Sequence, residues 1–176
     1  MQSSTLSVGF KAKRAVVSTS LLALGVAFEI VSKHAKELKE ELKYWQDGLV
    51  ISLGVLNGPI ITFKNDGGEI KYLGKGIKGN PDLTIYFKNV DSAFMTFTGQ
   101  MGSYTAFVQH RALLHGNVGQ AMQASRAMAI VQTYLMPGLI FDKLFKRAPK
   151  LSASQLALKA RVMATLTPLM IAKAGK

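Results

Sequence analysis

Cysteine is absent from the 176 residues. Its absence excludes disulfides, a thiol nucleophile and thiolate-ligated zinc, and makes a reducing compartment the simpler setting. Carboxylates are scarce, with ten Asp and Glu against 22 Lys and Arg, and no pair of them stands out as an acid–base couple. His34, His110 and His115 are far apart and none stands in a metal-ligand spacing. No Ser follows the Gly-x-Ser-x-Gly pattern of a nucleophile elbow. With no constellation for nucleophilic, metal-assisted or acid–base chemistry, the chain reads as a non-enzyme with no cofactor and no metal.

What is present is apolar and basic. The hydrophobic fraction is 48%, mean hydropathy is +0.18, and the net charge is +12 with a pI near 10.0. The length suits one domain with a sizeable core. The charge points to an anionic partner, either lipid headgroups or nucleic acid. No aromatic platform interleaved with Lys and Arg and no reading helix is evident, so nucleic acid is set aside. Gly74-Lys75-Gly76-Ile77-Lys78-Gly79 matches a dinucleotide fingerprint by letter. The fingerprint needs a helix to open at its last glycine. Here Asn80-Pro81-Asp82 and a strand follow, so the segment reads as a basic glycine loop.

Along the chain, Val17, Leu21, Leu24, Phe28, Val31, Ala35, Leu38, Leu42 and Trp45 recur in alternating steps of four and three. That spacing predicts one helix of about thirty residues with a single apolar face. Lys11, Lys13 and Arg14 ahead of Ala15–Phe28 also suit a signal peptide or a short membrane span. The stripe runs on unbroken and no cleavage pattern follows, which favours a packing helix. Strands are expected over Leu49–Leu56, Ile60–Lys64 and Glu69–Leu73, joined by Asn57-Gly58 and by Asn65 to Gly68 as an antiparallel meander. Leu83, Ile85 and Phe87 alternate with Thr84, Tyr86 and Lys88 as a further strand. Asp91 and Ser103 are the expected caps of two short helices rich in Phe and Met. Ala112–Leu114 reads as a strand, and a long helix from Val118 to Leu135 follows Gly116-Asn117. Its expected packed face is Ala121, Met122, Ser125, Met128, Ala129, Gln132 and Leu135, with Ala124, Ala127, Val131 and Tyr134 partly beside it. Pro137-Gly138 stops it, a basic amphipathic segment spans Leu139–Leu151, and a last helix starts after Ser152 or Ser154, with Pro168 as an expected kink.

This order resembles the sterol carrier protein 2 family. The residues that carry the resemblance are Pro81-Asp82-Leu83-Thr84-Ile85, Ala93 to Phe97 with Gly99, Ala106-Phe107, and Leu114-His115-Gly116-Asn117-Val118-Gly119 with Ala121-Met122. The match covers roughly Trp45 to Tyr134. It implies an α+β fold: a curved, mainly antiparallel sheet of about five strands, with helices on one face enclosing an apolar tunnel. A long N-terminal helix and a helical C-terminal extension are added to that core. The expected division is a flexible basic tail over 1–14, the lipid-binding domain over 15–137, and a basic helical extension over 138–176 packed on the domain or on a membrane. Resemblance and apolarity together nominate Phe94, Phe97, Met101, Phe107, Met122, Met128, Val131 and Leu135 as the lining. Lys143, Lys146, Arg147 and Lys150 are nominated for contact with an anionic membrane surface. The function so implied is non-catalytic binding and transfer of a lipid: a fatty acid, sterol or isoprenoid. The rival reading is an accessory scaffold that presents a quinone-type lipid intermediate to a biosynthetic enzyme partner. The chain ends Lys173-Ala174-Gly175-Lys176, which is not a peroxisomal address. A cytoplasmic location, peripheral on the inner membrane face, is expected.

Overall fold

The structure is a computed structural model and describes residues 8–135 and 151–174. It is α+β. Strands β1 (Val50–Val55), β2 (Ile60–Asp66), β3 (Glu69–Lys75), β4 (Leu83–Phe87) and β5 (Ala112–His115) form one sheet in the order β3-β2-β1-β4-β5. β1 and β4 pair in parallel and the other neighbours are antiparallel, so the sheet is mixed but mainly antiparallel. The helices are α1 (Val8–His34), α2 (Lys36–Leu42), α3 (Val90–Phe97), α4 (Ser103–Val108), α5 (Val118–Leu135) and α6 (Ala153–Ala174).

Period-two alternation gives the sheet two different faces. Register places Ile51, Leu53 and Val55 beside Phe63 and Ile61 on one side and Leu83, Ile85 and Phe87 on the other. This apolar face carries the helices: Phe28 of α1 stacks on Phe63 at 5.1 Å, and Phe97 of α3 meets Phe87 edge-on at 5.7 Å. The opposite face is polar at its centre, where Thr62, Ser52 and Thr84 form a buried row. Thr62 donates to Gly76 O (2.8 Å), so the 2.7 Å contact between the two hydroxyls is donated by Ser52. Lys78 N donates to Thr62 Oγ1 as well, tying the connection after β3 across this row.

α1 organises the helical layer. It packs on β2 and β3 and also touches α2, α3, α5 and α6. A Cβ at Gly25 would lie 2.5 Å from the Tyr72 ring, so only glycine allows the helix to cross there. β3 is an edge strand, and α1 covers its outward N–H groups. Ile70 N donates to Ser32 Oγ (3.0 Å) and Tyr72 N to the Glu29 carboxylate (3.3 Å). α1 is long and apolar enough to cross a membrane, over Gly9–His34. Here Val17, Leu21, Leu24, Phe28 and Val31 are core residues, which is the packing-helix reading.

Several boundaries differ from expectation. The single N-terminal helix is two, because Ala35 is extended (φ −87°, ψ 122°). The stripe keeps its phase across the break, so Val31, Ala35, Leu38 and Leu42 are all buried. Residues 8–14, placed in the flexible tail by sequence, are the first turns of α1, with Phe10 packed against the core. Asn89, not Asp91, caps α3, its side chain accepting from Ser92 N at 2.8 Å. Gly102 precedes α4, which lacks a side-chain cap. Ser152 and Gln155 form a reciprocal capping box at the start of α6, which continues through Pro168.

Candidate functional site

The Phe- and Met-bearing segments meet on the apolar face of the sheet. α3 touches β1 and β4, α4 touches β5, and α5 touches β4, while α3 and α5 both pack on α1. Most of the residues that these helices turn fully inward are small, with Val90, Val131 and Tyr134 as the exceptions. α3 buries Ser92, Ala93 and Thr96, α4 buries Ala106, and α5 buries Ala121, Ala124 and Ala127 ahead of Val131 and Tyr134. The large side chains Phe94, Met95, Phe97, Phe107, Met128, Ile130 and Leu135 are only half-buried against that core. Small residues bring backbones close, and the bulky ones are left at an incompletely covered margin. Backbone turns hold the margin in place. Gln100 N and Met101 N both donate to Met95 O, Arg111 N to Ala106 O, and His110 has φ +53°.

The nominated lining residues separate into two groups. Met101 and Val131 lie inside the core cluster, and Phe94, Phe97, Phe107, Met128 and Leu135 pack against it. Met122 stands apart, 55% exposed on the opposite side of α5. The expected packed face of α5 is therefore displaced. The buried set is Ala121, Ala124, Ala127, Val131 and Tyr134, because close helix packing selects alanine over the bulkier methionine. Met95 and Ile130 are also half-buried against the cluster and were not nominated. Their positions beside Phe94 and Val131 were the available signal. Lys143, Lys146, Arg147 and Lys150, with the basic amphipathic segment, lie outside the described residues.

Charge sits around this region, not within it. Lys13 lies 5.9 Å above the Phe94 ring and pairs with Asp91 across the α1–α3 contact. At the far end of α5, Tyr134 is fully buried and its hydroxyl donates to Glu37 of α2. Gln155 of α6 donates to the same carboxylate oxygen at 2.9 Å. Burial, then the Glu37 contact, raise the Tyr134 phenol above its ordinary value. Burial also pushes the Glu37 carboxyl upward, but hydrogen bonds from Tyr134, its own backbone and Gln155 outweigh this and hold it below the usual range. Nearby, His34 Nδ1 lies 2.8 Å from Ile30 O and its Nε2 lies 3.0 Å from Arg161. With Arg161 donating to Nε2, the Nδ1 proton goes to Ile30 O.

Among the described residues no three His, Asp or Glu side chains gather as metal ligands. Three clefts lie away from the Phe and Met margin. One of about 450 Å³ is bordered by Lys39, Lys43, Trp45 and Asp47. One of about 530 Å³ runs between α2 and α6 beside Glu37 and Tyr134. The largest of the three, about 630 Å³, lies between the start of α1 and the β1–β2 turn.

No family model and no curated protein matches the chain. Solved structures similar to it include the sterol carrier protein domain 2 of Helicoverpa armigera. That likeness has 16% identity and a TM-score of 0.47, covering 76% of this chain and 93% of that one. A second is sterol carrier protein 2 from Yarrowia lipolytica in its apo form, with 19% identity and a TM-score of 0.43, over 73% and 95%. A third, described as a UbiJ-SCP2 ubiquinone synthesis protein, has 13% identity and a TM-score of 0.45, over 66% and 96%. At these identities and scores the likeness carries no ligand and no activity to this chain. All three are described as sterol carrier protein 2 domains, the family that the sequence resembles.

Proposed function

We propose that the chain is a non-catalytic lipid-binding protein of the sterol carrier protein 2 kind, holding an aliphatic lipid between α3, α4, α5 and the sheet. The observation that carries this reading is that Phe94, Met95, Phe97, Phe107, Met128 and Leu135 are only half-buried against the core, on helices whose inward positions are mostly small. Such a margin has apolar surface left to cover, and an acyl chain covers it. Each methylene removed from water contributes about 0.8 kcal/mol, so a long chain contributes on the order of 10 kcal/mol before ordering costs. Met adapts to varied shapes, and a wall with few polar groups discriminates weakly among lipids. The surplus of +12 supports transient residence on an anionic membrane, and the lack of cysteine suits the cytoplasm.

Titrating the delipidated protein with a fluorescent polyene fatty acid tests the reading. Saturable binding is expected, weakened at least tenfold by Met128→Trp with the thermal midpoint kept. Equal binding by the variant overturns the assigned position.

The scaffold reading, presentation of a quinone-type lipid to an enzyme, is favoured by Val118 and Met122, exposed at 66% and 55% one turn apart on α5. Stable co-purification of a biosynthetic enzyme, lost in Met122→Lys, supports it. Lipid exchange between vesicles without any partner supports the carrier.

A further inference from the structure

The 630 Å³ cleft beside the start of α1 has a composition found nowhere along the Phe and Met margin. Lys11, Arg14, Ala15, Ser18 and Leu21 of α1 form one wall. The other wall is Gly58 and Pro59 of the β1–β2 turn, Ile60 and Ile61 of β2, and Lys75 and Gly76 at the end of β3. Three cations line it and no carboxylate does. Lys11, Arg14 and Lys75 are exposed, and among the described residues none forms an ion pair. Lys13, one position away, faces elsewhere and is neutralised by Asp91.

The fold builds this arrangement from three separate segments. Positions 11, 14, 18 and 21 fall on one face of α1 by helical spacing. Lys75 would point to the polar side of the sheet under strict alternation. The register of β3 shifts between Thr62 and Phe63, so that Lys75 pairs with Ile61 and joins its side of the strand. Gly74, at φ +104°, supplies the backbone conformation for that shift. Leu21 and Ile61 are buried at the cleft floor, with Ala15 and Ile60 partly covered or open above them.

We infer that this cleft binds the phosphate headgroup and first methylenes of a single-chain anionic amphiphile. Arg14 offers a planar fork of donors suited to phosphate oxygens, and Lys11 and Lys75 add point charges from opposite walls. The apolar floor gives the chain's first carbons a dry surface. The site is separate from the margin of the proposed function and stands or falls independently of it.

Amide chemical shifts of the full chain, titrated with dodecyl phosphate below its micelle concentration, test the inference. Inorganic phosphate and dodecyl maltoside are the parallel arms. Saturable shifts at Gly58, Gly76 and Ser18 are expected with dodecyl phosphate and not with the maltoside. Each methylene on the floor strengthens binding roughly fourfold, so inorganic phosphate should bind at least about tenfold more weakly. Arg14→Gln and Lys75→Gln should each weaken dodecyl phosphate about tenfold with an unchanged melting temperature. Three outcomes overturn the inference: wild-type affinity in both variants, equal shifts from the maltoside, or equal affinity for inorganic phosphate, which reduces the cleft to a plain anion site. Met128→Trp should leave these shifts intact, which separates failure here from failure at the α3–α5 margin.

Discussion

Tyr134→Phe tests whether α6 is seated on the domain through a shared carboxylate. The wild-type phenol is fully buried, and its proton goes to Glu37, which also accepts from Gln155 at 2.9 Å. Only the hydroxyl is removed and the ring stays in place, so packing loss is small. The remaining cost is a hydrogen bond to a charged acceptor, about 1.5–3 kcal/mol in general. Glu37 is only partly buried and keeps Gln155, which places the cost near the lower end, about 1.5 kcal/mol. For a chain of this size that lowers the melting temperature by roughly 3–6 °C. The pH dependence follows from the depressed Glu37 carboxyl. A group whose folded pKa is lowered contributes stability above its unfolded value, and that contribution is lost as pH falls through the folded value. The cost of Tyr134→Phe in urea unfolding should therefore be full at pH 7. Below the carboxyl's folded pKa it should fall to about 1 kcal/mol or less, once the acceptor is neutral. Glu37→Gln should remove that pH dependence, and the double variant should be less destabilised than the sum of the singles by at least about 0.5 kcal/mol. Equal costs at pH 7 and at a pH low enough to protonate Glu37 in the folded protein, or strict additivity, would refute the coupling.

The hydroxyl of Tyr72 is buried with no partner among the described residues, so Tyr72→Phe should be neutral or stabilising by up to about 1 kcal/mol in urea unfolding. Phe28→Ala removes a fully buried ring stacked on Phe63 and should cost about 3–5 kcal/mol; a cost below about 1 kcal/mol would favour α1 as a membrane segment over a core helix. Ser32→Ala strips the acceptor from Ile70 N, leaving a buried edge-strand donor unpaired. It should cost about 1–3 kcal/mol and accelerate hydrogen exchange along β3 before β1.

Much of the sheet was legible because its signals are local. Asn57-Gly58 marked the first hairpin, and Asn57 indeed takes φ +57°. Leu83, Ile85 and Phe87 alternated as a strand and all three are buried. What failed to show depends on contacts between distant residues. The parallel pairing of β1 with β4 joins segments about thirty residues apart and leaves no local mark. The break at Ala35 was hidden because Ala35 N still donates to Val31 O and Lys39 N to Ala35 O, so the apolar stripe stays in phase. Both Asn89 and Asp91 are capable caps, and the extended backbone at Asn89 (φ −150°, ψ 167°) decides between them. On α5 the methionines drew attention by hydrophobicity, while close packing with α1 used Ala124 and Ala127. Seven nominated lining residues lie in or against one apolar cluster and Met122 does not; apolarity marks a face but not which side of a helix meets the sheet. Glu37, Tyr134 and Gln155 are joined over separations of 97 and 118 residues, beyond the reach of any motif.

The central claim is the proposal that an aliphatic lipid lies against the half-buried side chains of Phe94, Phe97, Phe107 and Met128. Its most direct test is mass spectrometry of the protein purified without detergent, first intact under native conditions and then after organic extraction. The account predicts a bound species of lipid mass at near one-to-one occupancy, released on denaturation and displaced when Met128 is replaced by Trp. Protein that emerges at its bare chain mass, and that takes up no fatty acid, sterol or isoprenoid when these are supplied, would contradict it.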